Sequence, residues 1–363
     1  MKNNLLEDKA FSSKFQDVDL GLHGVRLPEF SIDVQSKRHL NVSEDVSNYD
    51  FLRALALNGF KDLNVDKSSA EHKKYVDRAK YELETLKELG FIDYILLVWD
   101  VINFCKTHDI PVGLGRGSAA GSLILYLIGV TRIDPVKYNL YFERFISKIR
   151  AKKQVVDGVT YLDGSLMCDV DLDICYYNRH RVLEYLETKF KGKTSKILTL
   201  NTLSGKLLIK ECGKIVGEKS EEEMTMISSL IPKVFGQVKD ITTAYEEIEK
   251  FKEWCDENKE TYQIALKLRD LIKNKGVHPS GVLLSYNDLE KVCPTEFSSD
   301  KEAVSSFDMN WVSLFNIKLD ILGLRSVSVV DDVCKSIGIK VQDIDLGHES
   351  IYRNLQELKS PHG

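Results

Sequence analysis

The sequence lacks several features that would place it in other classes of protein. No apolar run reaches the roughly 18 residues of a membrane-spanning helix, because the longest candidate, 91–104, contains Asp93 and Asp100. The N-terminus leads into charged sequence and not into a secretion signal. The seven cysteines form no Cys-x-x-Cys pair. We therefore expect a cytoplasmic protein with reduced core thiols and neither a zinc site nor a disulfide framework.

A net positive charge is also absent. The 363-residue chain has a formal charge of -5, which argues against a uniformly basic nucleic-acid-binding protein. Residues 137–219, however, contain 16 Lys or Arg and 10 Asp or Glu, so this excess of six leaves about eleven net negative charges elsewhere. Such a basic segment suits a site that receives a polyanion. A mixed solvated surface is the alternative explanation.

Three aspartates occupy alternate positions within an otherwise apolar segment, 167–175. They are Asp169, Asp171 and Asp173. In a strand, the apolar residues between them would face a core, and the three carboxylates would share the opposite face. Like charges this close repel unless a cation lies between them, so the pattern indicates a divalent metal with oxygen ligands. The alternative is a strand with a solvated acidic face, although Asp is uncommon in strands.

A second segment, 317–321, repeats this alternation. Its apolar residues would face one way, and Lys318 and Asp320 would face the other. If the two predicted strands are neighbours in a sheet, Asp320 lies beside Asp169 and Asp171, and Lys318 is close to all three.

A glycine-rich loop, 113–122, precedes an apolar helix. Small residues allow close backbone approach, and a helix N-terminus suits a phosphate. The loop lacks the Gly-Lys-Ser/Thr ending of a P-loop and does not complete a dinucleotide fingerprint. Tight helix packing through small residues is the alternative reading.

Periodicity and turn residues predict the remaining elements. We expect helices over 69–89, from 91 to about 105, 178–190 and 203–216, a charged helical stretch over 218–275, and further strands at 197–201 and 281–285. The pattern is that of an α+β protein in which a mixed sheet is interrupted by a helical subdomain.

Carboxylates on two strands together with a phosphate-binding loop meet the needs of two-metal phosphoryl transfer. Six ordered segments make the sequence resemble family C bacterial replicative DNA polymerases, the alpha subunit of DNA polymerase III. They are 113–126, Asp134-Pro135, 142–145, 169–173, 276–281 and 318–324. The resemblance implies a DNA polymerase beta-like nucleotidyltransferase palm with a helical thumb, acting as a DNA-directed DNA polymerase in a bacterial cell or, for a viral protein, in an infected host cell.

The resemblance also implies roles for single residues. Asp169, Asp171 and Asp320 would be catalytic ligands of two Mg²⁺ ions, with Asp173 as a further candidate. The incoming dNTP would be held by Gly117, Ser118, Arg144 and Lys318. The candidate DNA-binding residues are Lys206, Lys210, Lys273, Lys275 and His278.

The expected domain order also follows the family. The divisions are a lead-in at 1–50 with a remnant of the PHP-domain edge, palm at 51–202 and 278–330, thumb at 203–277, and the start of the fingers at 331–363. We expect a split or truncated polymerase that binds primer-template DNA and needs a second polypeptide for the fingers and C-terminal domains, through which a sliding clamp would bind. The alternatives are a nucleotidyltransferase with another acceptor and a non-catalytic fragment that binds DNA or a polymerase.

Overall fold

The computed structural model describes residues 23–63, 65–149, 153–163, 167–234, 237–299, 301–345 and 347–356. The α-helices, numbered α1 to α15 in chain order, are Val34–His39, Asn48–Gly59, Ala70–Leu89, Ile92–Thr107, Leu123–Leu127, Arg179–Lys189, Gly205–Ile215, Glu221–Ser229, Ile241–Glu247, Glu249–Glu257, Lys259–Leu268, Leu289–Val292, Met309–Val312, Arg325–Ser336 and Glu349–Gln356. The strands, numbered β1 to β10, are Lys153–Val156, Val159–Leu162, Leu172–Cys175, Thr194–Thr202, Lys233–Val234, Gln237–Val238, Ile272–Leu284, Thr295–Phe297, Ala303–Asp308 and Ile317–Leu324.

The chain divides into two units. The first lies within 1–196 and 279–363, and the second within 197–278. The chain enters the second unit along β4 and returns along β7. The thumb expected from the sequence, 203–277, falls inside the second unit, and both expected palm segments contribute to the first. The predicted α+β class with a mixed sheet is confirmed.

Helices α3 and α4 form much of the core of the first unit. Helix α3 begins after Ser69, whose hydroxyl accepts a hydrogen bond from the His72 N–H, and ends at Gly90, whose φ of 82° few other residues adopt. The predicted helix at 69–89 is therefore confirmed. Helix α4 is apolar almost all round, and Ile95, Leu96 and Val98 are fully enclosed. A helix of this kind must lie in the middle of a core.

A six-stranded sheet in the order β3-β10-β7-β4-β9-β8 carries the two acidic segments. Strand β10 pairs in parallel with β3 and antiparallel with β7, so it lies between them. The predicted proximity of the 167–175 and 317–321 segments is confirmed. All seven cysteines are buried. In the ranges that the structure describes, no helix combines the length and the apolar character needed to span a membrane.

Two predicted boundaries are wrong. The acidic strand begins at Leu172 and not at 167, so Asp169 and Asp171 lie on non-strand backbone just before it. Two of the three aspartates thus lie outside the ladder, in keeping with the low strand propensity of this residue type, and only Asp173 lies within it. The stretch 218–275 is not helical throughout, because β7 starts at Ile272 and a short β5–β6 hairpin lies within it.

The start of β7 could not be found from hydrophobic alternation. Its first four residues, 272–275, are exposed and mix one apolar with three polar side chains, so neither face of the strand carries an apolar pattern. Within the second unit, the charged helices bury a separate apolar core, in which α7 packs against α8 and α11.

Candidate active site

Three carboxylates converge beside the paired strands β3 and β10. The parallel register sets Ile321 opposite Leu172. The preceding residues on the two segments, Asp320 and Asp171, therefore lie side by side. Ligand oxygens of Asp169, Asp171 and Asp320 all lie within 4.8 Å of one another. The sequence predicted this group, and the structure assembles it although the first two residues are outside the strand.

Asp320 is the most enclosed member of the group, with only 6% of its surface exposed. It lies on β10, between β3 and β7, where Lys318 shares its face two residues earlier. The Lys318 Nζ is 2.7 Å from Asp320 Oδ2, and the Ser280 hydroxyl on β7 donates to Oδ1 at 3.3 Å. A buried carboxylate needs such partners because desolvation disfavours its charge.

Asp169 is exposed, whereas Asp171 is half-buried and Asp320 is buried. Partial desolvation raises the pKa of its carboxyl, and the negative charges of Asp320 and Asp171 raise it further. The positive charges of Lys318 and Arg116 act in the opposite direction. The pKa of Asp169 is raised overall, which indicates that Lys318 and Arg116 do not fully neutralise the negative charge of the three carboxylates.

The glycine-rich loop is anchored to β3. A backbone bridge joins Val112 to Ile174, and the Gly113 N–H donates to the Asp173 carbonyl at 2.8 Å. The loop then passes the carboxylates at Gly117, whose φ is 66°; a Cβ there would lie 3.9 Å from Asp171 Oδ2. Glycine therefore suits the left-handed backbone that the loop adopts next to the acidic group.

Arg116 joins the loop to the acidic segment, a contact that the sequence did not predict. Its Nη1 is 3.2 Å from Asp171 Oδ2, and its Nε donates to both oxygens of Asp173 at 3.1 Å. Asp173 thus faces this guanidinium, and it is not a member of the three-carboxylate group formed by the described residues. Its role as a metal ligand remains a prediction.

The other predicted phosphate-binding residues lie on adjoining turns. Ser118 is half-buried and precedes the 3₁₀ turn Ala119–Gly121. Arg144 is exposed at the end of a second 3₁₀ turn, Phe142–Arg144, which packs against the first. Among the described residues, Arg144 forms no ion pair with the three carboxylates, so the structure leaves its guanidinium in solvent.

The candidate DNA-binding residues all lie in the second unit. Lys206 and Lys210 are on α7, and the other three are on β7. Lys210 forms an ion pair with Glu221, and the Lys273 Nζ is 3.1 Å from Glu211 Oε1. Lys275 is exposed and His278 is half-buried. The acidic partners of Lys210 and Lys273 lower the charge that these two lysines offer to DNA.

Ser280 and Arg116 were not identified as site residues, although their surroundings were noted. Ser280 lies in the predicted segment 276–281, at the point where β7 becomes buried. Arg116 lies in the glycine-rich loop and was considered only as a member of that loop. The available signal was a basic residue in the glycine-rich loop of a chain that also has an acidic segment. The sequence could not show that this loop lies against β3.

The crowding of carboxylates predicts a gain in stability when one charge is removed. With a chelator present, Asp169→Asn is expected to raise the free energy of unfolding by about 0.5 kcal/mol, because solvent screens an exposed charge. The gain should shrink at high salt. Urea unfolding measures it, with Asp157→Asn in the exposed β1–β2 turn as control. A loss of stability in Asp169→Asn would show that repulsion does not dominate.

The donor set fits a hard divalent cation. Mg²⁺ and related ions prefer carboxylate oxygens, and three of them within 4.8 Å of one another can share one or two ions. Lys318, Arg116 and the open backbone at Gly117 add positive or hydrogen-bond-donating groups around the carboxylates. The arrangement can hold a phosphorylated ligand next to a metal site.

Comparison with known proteins places the chain in a family. Residues 50–323 match the family model described as the bacterial DNA polymerase III alpha NTPase domain. The DNA polymerase III subunit alpha of Aquifex aeolicus is 30% identical over 354 residues, covering 88% of this chain and 29% of that protein. The subunit of Ureaplasma parvum is 31% identical over 343 residues, covering 92% of this chain and 33% of its own length.

A third relative, the DNA polymerase III subunit alpha of Staphylococcus aureus strain Mu50, is 32% identical over 273 residues, covering 74% of this chain and 24% of that protein. The chain therefore spans about a quarter to a third of the length of these relatives. The family model, in contrast, extends over most of the chain and includes every carboxylate of the acidic group. The chain belongs to the bacterial DNA polymerase III alpha family.

Proposed function

We propose that this chain carries the nucleotidyl-transfer centre of a DNA-directed DNA polymerase. In the reaction, the 3′ hydroxyl of a primer attacks the α-phosphorus of a dNTP, a new P–O bond forms, and the bond to the β-phosphate breaks to release pyrophosphate. The observation that carries the proposal is the group formed by Asp169, Asp171 and Asp320, next to Lys318 and the glycine-rich loop.

Two Mg²⁺ ions held by the three carboxylates would lower the pKa of the attacking hydroxyl and stabilise charge on the leaving group. The protein residues prepare the site for this. Ser280 and Lys318 hold the side chain of Asp320 in its enclosed position, and Arg116 holds the side chains of Asp171 and Asp173. Asp171 and Asp320 thereby keep a fixed geometry, which phosphoryl transfer requires more than covalent participation.

The residues around the carboxylates are suited to a triphosphate. Gly117 allows phosphate oxygens close to the loop backbone, and Ser118 adds a hydroxyl at the same turn. Arg144 is solvent-exposed on the adjoining turn and can meet a phosphate in bidentate fashion. Lys318, with 21% of its side chain exposed, can exchange part of its contact with Asp320 for a phosphate oxygen.

We further propose that the sheet of the first unit serves as the palm and the second unit as the thumb, with primer-template DNA as the bound polyanion. Lys206, Lys210, Lys273, Lys275 and His278 are the candidates for contacts to the DNA backbone, and for Lys210 and Lys273 such contacts would compete with Glu221 and Glu211. Phosphate contacts of this kind would make affinity fall steeply with salt and not depend on sequence.

Template dependence is the test of the proposed reaction. The chain, with and without the polypeptide that supplies the fingers, is mixed with a labelled primer, a template, Mg²⁺ and each dNTP separately, and the product is resolved to single nucleotides. We expect extension only with the dNTP that pairs with the next template base. Incorporation that ignores the template would favour a nucleotidyltransferase with another acceptor, whereas Mg²⁺-independent DNA binding without incorporation would favour a non-catalytic DNA-binding fragment.

A further inference from the structure

A fully buried glutamate lies behind the glycine-rich loop. Glu82 on α3 has none of its surface exposed. Its Oε1 accepts hydrogen bonds from the Leu123 N–H at 3.0 Å and the Arg78 Nε at 2.6 Å. Its Oε2 accepts from the Ser122 hydroxyl at 2.9 Å and the Ile124 N–H at 3.0 Å. Both oxygens therefore face donors, and three of the four donors belong to the segment where the loop becomes α5.

The arginine of this pair reaches the same loop and one further segment. Arg78 Nη2 donates to the Gly121 carbonyl at 2.9 Å and to the Leu140 carbonyl at 3.2 Å. Gly121 closes the 3₁₀ turn that follows Ser118, and Leu140 lies two residues before the turn that carries Arg144. One guanidinium thus links the backbone of the two segments that present the proposed phosphate-binding residues.

The direct contact between these segments is close. A Cβ on Gly121 would lie 2.6 Å from the Tyr141 carbonyl oxygen, so glycine is required for the two turns to approach this far. Their separation is therefore set by two features: steric fit at Gly121 and the hydrogen bonds of Arg78.

Burying the Glu82 carboxylate costs desolvation free energy, which an apolar side chain packed at this position would not cost. Desolvation raises the pKa of Glu82, and the bonds from Ile124, Leu123 and Arg78 oppose that rise. An apolar side chain on the buried face of α3 would fill the space without this conflict. It would not, however, accept hydrogen bonds from the free N–H groups at the start of α5 or orient the guanidinium.

We propose that Glu82 and Arg78 are positioning residues for the incoming nucleotide. They fix the Gly117–Ser118 loop relative to the turn that carries Arg144, so the two sides of the phosphate site have a defined spacing. Neither residue touches the nucleotide. The inference rests on the proposed function and adds to it a determinant of dNTP affinity that is separate from the metal-binding carboxylates.

Two variants test the pair. Arg78→Lys keeps the positive charge near Glu82 but cannot reproduce the planar fork that reaches both carbonyls. Glu82→Gln keeps the side-chain size but turns an NH₂ group towards a donor. Glu71→Gln, on the exposed face of the same helix, is the matched control. Circular dichroism during heating identifies a temperature at which each protein is folded.

At that temperature, equilibrium dialysis with labelled dATP and Mg²⁺ gives the nucleotide Kd, and primer extension gives KM and kcat. We expect Arg78→Lys to raise Kd and KM about tenfold, because a displacement of about 1 Å in a positioned site costs up to about 10²-fold. Glu82→Gln should have at least the same effect if it folds, and Glu71→Gln none. Binding of Mn²⁺ alone should be unchanged in Arg78→Lys, since the carboxylates lie on other elements.

The outcomes distinguish a failure of the positioning role from a failure of the proposed function. If the unmodified chain binds dATP and folded Arg78→Lys binds it equally well, the positioning role is wrong while the proposed function stands. A lower melting temperature with unchanged Kd and KM would likewise show that Glu82 and Arg78 stabilise the fold without positioning the nucleotide. If the unmodified chain does not bind dATP at all, both the proposed function and this inference fail.

Discussion

Asp171→Asn and Asp320→Asn are each expected to lower the rate of nucleotide transfer by about 10³-fold or more. Each change removes one carboxylate charge from the site at which the divalent cations would bind. Loss of a metal ligand removes several kcal/mol of transition-state stabilisation, and each 1.36 kcal/mol corresponds to about tenfold in rate. Asparagine has nearly the same shape, so packing around β10 should be kept. Single-turnover primer extension with saturating dNTP measures the effect.

Asp157→Asn is the control for these variants, since Asp157 lies in the exposed β1–β2 turn and contributes nothing to the acidic group. It occupies a left-handed conformation, with φ 48°, that asparagine tolerates equally well. Transfer at the unmodified rate by either Asp171→Asn or Asp320→Asn would remove that carboxylate from the proposed site.

The second large effect is expected for Lys318→Met, which should lower kcat/KM for dNTP by about 10²-fold. The ammonium group lies 2.7 Å from Asp320 and faces the site from β10. Removing one preorganised positive group that faces developing phosphate charge costs about 10² to 10³ in rate. Methionine keeps the length and apolar stem of lysine, so the loss should reflect charge and not packing. Steady-state extension at varied dNTP measures it.

Lys74→Met on the exposed side of α3 provides the comparison for a generic loss of positive charge. If both variants lose activity equally, the effect comes from weaker overall attraction of DNA and not from Lys318 in the site. Lys318→Arg should recover only part of the activity, because a planar guanidinium cannot occupy the position of a compact ammonium.

The sequence allowed the pairing of the two acidic segments to be predicted, since alternation within each segment showed which side chains share a face. Lys318 and Asp320 lie on the strand as expected, and the core-facing residues Val170, Leu172 and Ile174 are buried. Alternation does not show where hydrogen bonding begins, however. The start of β3 at Leu172 depends on its register with β10, a contact more than 140 residues away in sequence.

The contacts of Arg116 with the aspartates could not be predicted from the sequence either. Asp169, Asp171 and Asp173 have equal spacing, but Arg116 returns with the glycine-rich loop and faces the third of them. Glu82 was missed for a related reason. It lies with Ala79 and Leu86 on the buried face of a helix that was correctly predicted. A charged residue on such a face indicates a buried partner, but helical periodicity does not show which residue that partner is.

Binding of Mn²⁺ followed by electron paramagnetic resonance tests the central claim most directly, because it reports the cation site without requiring DNA synthesis. We expect two Mn²⁺ ions per chain in the presence of a dNTP, little binding to a double variant carrying Asp171→Asn and Asp320→Asn, and unchanged binding to Asp157→Asn. Equal Mn²⁺ binding by the unmodified chain and the double variant would contradict the account, since the three carboxylates would then not form the metal site.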